Sequence, residues 1–260
     1  MAERETVFRE CLCVITGASR GLGKELALQL APSLTGASSL VLVARSGERL
    51  EEVRRAVLAS QPSLRVLLVP ADLSTGQGVG AALAALPQHR PRRLLLLNNA
   101  GSLGDVSKFV VDFTSPAEIT DYFSLNVTSF MCLSAGVLRA FPQKAGLTRT
   151  VVNISSLCAI KPFKSWSLYC MGKAAREMMC HVLAAEQPDL RVLSYAPGPL
   201  DTDMFLQART ETGDPEVREA AKSLYAEGNV LTPQDSARKL VDILVRDQFE
   251  SGAHVDFYDK

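Results

Sequence analysis

Tyr169 and Lys173 stand four residues apart in the segment YCMGK. On a helix that spacing puts both side chains on one face, so an ammonium and a phenol can share a pocket. A free phenol has a pKa of about 10 and is a poor acid or base at neutral pH. A neighbouring cation favours the phenolate and moves the tyrosine toward a useful range for general acid–base work. A lone Tyr-x-x-x-Lys match also describes a buried tyrosine beside a snorkelling lysine, so its company matters. NISS, upstream, brings Ser156 near enough to offer a hydroxyl to a carbonyl oxygen. Asn126 is an odd polar residue within an apolar helical pattern, and NNAG, Asn98 to Gly101, closes another apolar run.

A second chemistry is written near the amino terminus. TGASRGLG carries Gly17, Gly21 and Gly23 in the spacing G-x-x-x-G-x-G, not the dinucleotide fingerprint G-x-G-x-x-G. The physics is shared: glycines let backbone approach a pyrophosphate, whose charge is favoured at the amino end of the next helix. An NAD site places Asp or Glu at the end of the second strand to accept from the ribose 2′-hydroxyl. Here that segment reads VLVARS, with Arg45 at its end and Arg20 inside the glycine loop. Two guanidinium groups at that corner suit a 2′-phosphate, which favours NADP(H) over NAD.

The elements that must position these residues alternate along the chain. CLCVITG, SLVLVAR, RVLLVPADL, RLLLLNNAG, TVVNISS and RVLSYAPG read as buried strands. Between them lie helical stretches: about Leu22 to Leu34, GERLEEVRRAVLAS, GVGAALAAL, EITDYFSLNVTSFMCLSAGVLRAF and SLYCMGKAAREMMCHVLAAE. Repeated β-α alternation with short loops predicts an α/β fold, a doubly wound parallel sheet with helices on both faces. Residues 1–260 read as a single domain. The polar stretch 201–232 breaks the rhythm, with a helix through GDPEVREAAKSLYAEGN capped by Asp214, and is a candidate substrate lid.

Composition narrows the classes. Apolar residues make up 47% and aromatics 6% of 260 residues, so Leu, Val and Ala build the core. Lys plus Arg equals Asp plus Glu at 28 each, which argues against nucleic acid or anionic lipid as a partner. Apolar runs such as Leu94 to Leu97 fall short of a membrane span, and the acidic start MAERETVFRE does not read as a signal peptide. Six cysteines (Cys11, Cys13, Cys132, Cys158, Cys170, Cys180) form no metal-spaced set and read as reduced, half-buried thiols of a cytoplasmic protein. The sequons at Asn126 and Asn153 are then coincidental.

TGASRGLG, NNAG, the mid-helix Asn126, Ser156 before Tyr169, the Tyr-x-x-x-Lys pair and APGPLDTDM together resemble the short-chain dehydrogenase/reductase family over essentially the whole chain. The resemblance implies that Tyr169 protonates a carbonyl oxygen, Lys173 lowers its pKa and holds the nicotinamide ribose, Ser156 polarises the carbonyl, and Asn126 shapes a water relay. It implies a cofactor site of Gly17, Ser19, Arg20, Gly21, Leu22, Gly23, Arg45, Asp72, Leu73, Asn99, Ala100, Gly101, Tyr169, Lys173, Pro197, Gly198 and Thr202. Asp72 would reach the adenine and Thr202 the carboxamide. No metal is implied, and a homodimer is, through the apolar face of the Asn126 helix.

The less generic segments, NNAGSLGDVSK, NISSLCA, LYCMGKAAR, YAPGPLDTDM and SGAHVDFYDK, resemble pterin-reducing members of that family. A pterin ring offers two parallel donors and a carboxylate two parallel acceptors. Asp256 in HVDFYDK would therefore anchor the ring while a side-chain ketone meets Tyr169. The substrate set would be Ser156, Leu157, Tyr169, Gly198 and Asp256, with Cys158, Phe163, Trp166 and Met204 as further apolar walls. Judged from its residues alone, Asp256 reads as a local cap, or as paired with a lysine or His254, rather than as an anchor. A broad carbonyl or dicarbonyl reductase and a catalytically idle NADPH-binding regulator are the alternatives to a pterin reductase.

Overall fold

The computed structural model describes residues 8–259; the reading of the first seven residues as no leader lies outside them. Seven strands form one parallel sheet: β1 Cys11–Thr16, β2 Ser39–Ala44, β3 Arg65–Pro70, β4 Arg93–Asn98, β5 Thr148–Ile154, β6 Leu190–Ala196 and β7 Ala253–Asp256. Their order across the sheet is β3-β2-β1-β4-β5-β6-β7, every pairing parallel. The strand order reverses between β1 and β4, which opens a crevice above their carboxyl ends where ligands bind in such sheets.

Alternate residues of each strand feed two cores, as the strand period of two requires. Cys11, Cys13 and Ile15 face one side, where they pack with α1 (Gly21–Leu30), α2 (Gly47–Ser60) and α8 (Pro233–Arg246) through Leu26, Val53 and Leu240. Leu12 and Val14 face the other, against α3 (Gly76–Ala84), α4 (Pro116–Ala140) and α5 (Ser167–Glu186) through Val79, Leu133 and Cys180. Burial on both faces explains why the strands read as continuous apolar runs.

Local chemistry sets several ends. Helix α1 stops at Leu30 and tightens into a 3-10 turn containing Pro32, short of the Leu34 that periodicity suggests. Helix α4 is interrupted at Ser124–Thr128 by a π turn that buries Asn126. By length and composition α4 is apolar enough to cross a membrane, although scattered Ser, Thr and Asn residues hide this from a scan for apolar runs. One face packs into the core, with Phe130, Leu133 and Val137 buried, while about a third of the apolar stretch as a whole is buried within the chain.

Within the polar stretch 201–232, α6 (Asp203–Glu211) and α7 (Pro215–Ala226) form, with Asp214 capping α7 through Val217 N. The two ends of the stretch meet: Asp201 N donates to Leu231 O at 2.9 Å, and Leu231 N to Pro199 O at 2.8 Å. Four of the six cysteines are buried, Cys170 is half-buried and Cys132 is exposed, and all six are free thiols.

Candidate active site

A cleft of about 1870 Å³ runs along the carboxyl ends of the strands. Its dinucleotide end is made mostly of backbone. Gly17 follows β1 with φ of +65°, and a β-carbon there would sit 2.8 Å from Asn99 Nδ2. Asn99 Nδ2 donates to Thr16 O (2.9 Å) and Gly17 O (3.1 Å), while Thr16 Oγ1 accepts from Asn99 N and Ala100 N at 3.0 and 2.9 Å. The loop after β1 and the NNAG segment after β4 are thus one hydrogen-bonded unit. Gly23 does not line the cleft; a β-carbon there would lie 2.3 Å from Gly17 O, so it serves the close approach of α1 to the loop.

Ser46, Thr75, Thr202, Asp214 and Thr232 cap α2, α3, α6, α7 and α8 through their side chains, but no side chain caps α1. Its first-turn residues Gly21 and Leu22 line the cleft, together with Ser19 and Arg20 before them. Uncapped amides at a helix amino end are an anion site. Arg20 and Arg45 line the same end, joined by Lys24 and Arg49, which sequence reasoning passed over; Arg49 lies in the first turn of the helix that follows Arg45. Asp72 and Leu73 line it too. Hydrogen bonds from the N–H and hydroxyl of Ser74 hold the Asp72 carboxyl below the usual range, ready to accept. These features fit a phosphorylated dinucleotide.

At the other end Tyr169, Lys173, Ser156, Leu157 and Gly101 share the cleft with Pro197, Gly198 and Thr202. Tyr169 is buried, with Trp166 edge-on at 5.8 Å and the Lys173 ammonium 5.4 Å from its ring centre. Lys173 Nζ donates to Ile154 O at 2.6 Å. The expectation that a cation draws the phenol down is outweighed here. Burial raises the Tyr169 phenol well above its ordinary value, and a hydrogen bond from Ser156 only partly opposes this. Lys173 is itself pushed well below its ordinary value, by burial first and then by Arg176. Burial thus favours the neutral phenol over the phenolate.

Asn126 stands outside the cleft wall. Its Oδ1 accepts from Ser102 N at 2.9 Å, and its Nδ2 donates to Tyr122 O at 3.0 Å and Ser102 Oγ at 3.2 Å. The π turn thereby fixes the segment that follows NNAG. Arg176, which the motifs did not flag, is fully buried and donates to Asn98 O (2.6 Å), Ala100 O (3.0 Å) and Asn153 Oδ1 (2.8 Å). It lies two turns from Tyr169 on α5, so the i, i+7 spacing was the available signal.

Asp256 ends β7 and lines the same cleft. Its Oδ1 accepts from Tyr258 N at 2.9 Å, and its own N–H donates to Asp259 Oδ2 at 2.8 Å. The local cap is thus present, made with backbone rather than with a lysine or His254. A carboxylate has about four lone-pair sites, so this cap leaves capacity for a ligand. Cys158, Phe163, Trp166 and Met204 all line this end, roofed by Val217, Ala221 and Leu224 of α7.

A family profile described as "short chain dehydrogenase" matches residues 12–213. The chain belongs to the short-chain dehydrogenase family. As a member it is an oxidoreductase acting between carbonyl and alcohol groups, with a nicotinamide cofactor. The chain is 54% identical to sepiapterin reductase of Meriones unguiculatus over 95% of its own length and 96% of that relative. It is 53% identical to sepiapterin reductase of Bos taurus over 96% and 95%. Among solved structures of the short-chain dehydrogenase fold, levodione reductase superposes with a TM-score of 0.80 at 25% identity, covering 96% of each chain.

Proposed function

We propose that this chain reduces the side-chain carbonyls of a pterin with NADPH, the chemistry that completes tetrahydrobiopterin synthesis. The observation that carries the reading is identity above half with sepiapterin reductases across nearly the whole chain. The cleft supports it by placing a carboxylate, Asp256, on the same wall system as Tyr169 and Ser156. NADPH is supported by Arg45, Lys24 and Arg49 at the dinucleotide end, which suit a 2′-phosphate, while Arg20 is ion-paired with Asp203; no carboxylate for a free 2′-hydroxyl stands at the end of β2.

In this reading the bound cofactor supplies the hydride. Asp256 accepts from the paired amino and ring N–H groups of the pterin and sets the side chain toward Tyr169. Ser156 donates to the carbonyl oxygen, and Tyr169 transfers its proton to the same oxygen as negative charge develops there. Lys173 orients the ribose from its seat on Ile154 O. Asn126 acts through Ser102 on the loop beside the nicotinamide. Residues 1–260 act as one NADP(H)-binding domain, with 201–232 as a lid hinged where Pro199, Asp201 and Leu231 pair. The exposed Met131, Met178 and Val182 of α4 and α5 support a homodimer.

The test is steady-state kinetics with sepiapterin beside a small dicarbonyl. Asp256→Ala is expected to lower kcat/KM for the pterin by about 100-fold, as loss of charge-assisted hydrogen bonds predicts, and to spare the dicarbonyl. Equal losses on both substrates would remove the anchor and leave a broad carbonyl reductase.

A further inference from the structure

His254 opens onto the cleft two residues before Asp256 on β7. Residues i and i+2 of a strand face the same side, so the two side chains leave the sheet together. Nδ1 of His254 lies 3.0 Å from Oε1 of Glu177, a close ion-pair contact rather than a well-aligned hydrogen bond. Glu177 is buried one turn beyond Lys173 on α5, and its Oε2 accepts from Ser155 Oγ at 2.6 Å. Ser155 immediately precedes Ser156. One buried carboxylate therefore joins three pieces of the site: the helix of Tyr169, the strand end carrying Ser156, and the strand carrying Asp256.

Such a carboxylate is costly unless paired. Burial alone would raise the Glu177 carboxyl, but His254 and Ser155 together hold it below the usual range. The contact with Glu177 in turn raises His254 above its ordinary value, against the opposing effect of burial, and Asp256 and Asp259 add to the rise. Other charges face this cluster. His181 on α5 approaches Glu177 Oε1 at 3.7 Å, and Lys239 on α8 donates to Phe257 O at 2.6 Å and to Asp259 O. Strand β7 is an edge strand of four residues paired only with β6, so a side-chain tie to α5 bears directly on where Asp256 sits.

We propose that His254 is a positioning residue: seated on Glu177, it fixes the Asp256 strand against the helix of Tyr169 and so sets the distance from pterin anchor to proton donor. The inference rests on the reading of Asp256 as the pterin anchor. The sign of its pH dependence follows. A histidine whose folded pKa is raised contributes fully below its unfolded value of about 6.5, and that contribution is lost as pH rises through the folded value. The KM for a pterin is therefore expected to rise with pH across that window.

The experiment measures kcat and KM for sepiapterin and for a small dicarbonyl from about pH 6 to 8, in wild type, His254→Gln, Glu177→Gln and Glu177→Asp. His254→Gln is expected to raise the pterin KM about tenfold with kcat within about twofold, and to flatten its pH dependence. The dicarbonyl constants and NADPH binding, read by fluorescence, are expected to stay put. Glu177→Gln is expected to raise the pterin KM as His254→Gln does, with a further loss on both substrates through its tie to Ser155, and Glu177→Asp recovers part of the pterin loss. Unchanged pterin KM in His254→Gln, or equal losses on both substrates, overturns the proposal. If His254→Gln does not fold, the wild type decides: a pterin KM that is flat over this range overturns it. A wild type that reduces the dicarbonyl but ignores sepiapterin instead overturns the pterin reading, and this proposal with it.

Discussion

The two ends of the cleft are built by different means. The dinucleotide end rests mostly on backbone: Gly17 and the uncapped turn of α1, tied by hydrogen bonds to the NNAG segment after β4. The reacting end collects side chains from Ser156 to Asp256, a hundred residues apart, and relies on buried polar ties to hold them. Backbone at a glycine turn is fixed by sterics that short spacing reveals. A constellation of side chains is fixed by packing, which spacing reveals only where members share a helix.

The largest expected effect separates the two ends cleanly. Tyr169→Phe removes the proton donor and is expected to cut kcat by about 1000-fold while NADPH still binds, measured by turnover and by fluorescence titration. A retained rate would transfer the acid role elsewhere. At the dinucleotide end the strongest change is steric. Gly23→Ala sets a β-carbon 2.3 Å from Gly17 O and 2.5 Å from Asn99 Nδ2. Such overpacking costs about 1–3 kcal/mol, and the expected result is a lower melting temperature together with weaker NADPH binding. Stability lost without any change in cofactor affinity would detach Gly23 from the site.

A smaller effect concerns charge. Arg45→Ala is expected to reduce the preference for NADPH over NADH about tenfold, read from the two dissociation constants, with turnover at saturation unchanged. The smallest is chemical. Cys170 adjoins Tyr169 and its thiol is drawn below the ordinary thiol range, chiefly by a hydrogen bond from Cys158. Burial pushes Cys11 up to about 12 and Cys180 to about 11. Iodoacetamide is therefore expected to label Cys170 ahead of those two, followed by peptide mass spectrometry.

Much of this was legible in the residues. Helix α5 runs over Ser167–Glu186, as its pattern predicts, because Tyr169, Gly172, Lys173, Arg176 and Cys180 share one buried face. Asp214 and Pro215 announce the start of α7. The π turn at Asn126 left no trace in periodicity, since one extra residue in a turn barely shifts a 3.6-residue pattern. The direction of the Tyr169 shift was likewise hidden: i, i+4 spacing gives the partner but not the depth, and depth decides the sign. The pterin reading of Asp256 came from resemblance; its local chemistry alone describes a turn cap, which the structure also contains.

The last strand has a further consequence, for solubility. The open edge of a parallel sheet is a template on which another chain can add a strand. Here that edge is four residues long and carries His254 and Asp256 on one face. The backbone beyond it is already consumed, with Asp256 N given to Asp259 and the carbonyls of Phe257 and Asp259 taken by Lys239. These ties leave less of the edge backbone free to pair with another chain.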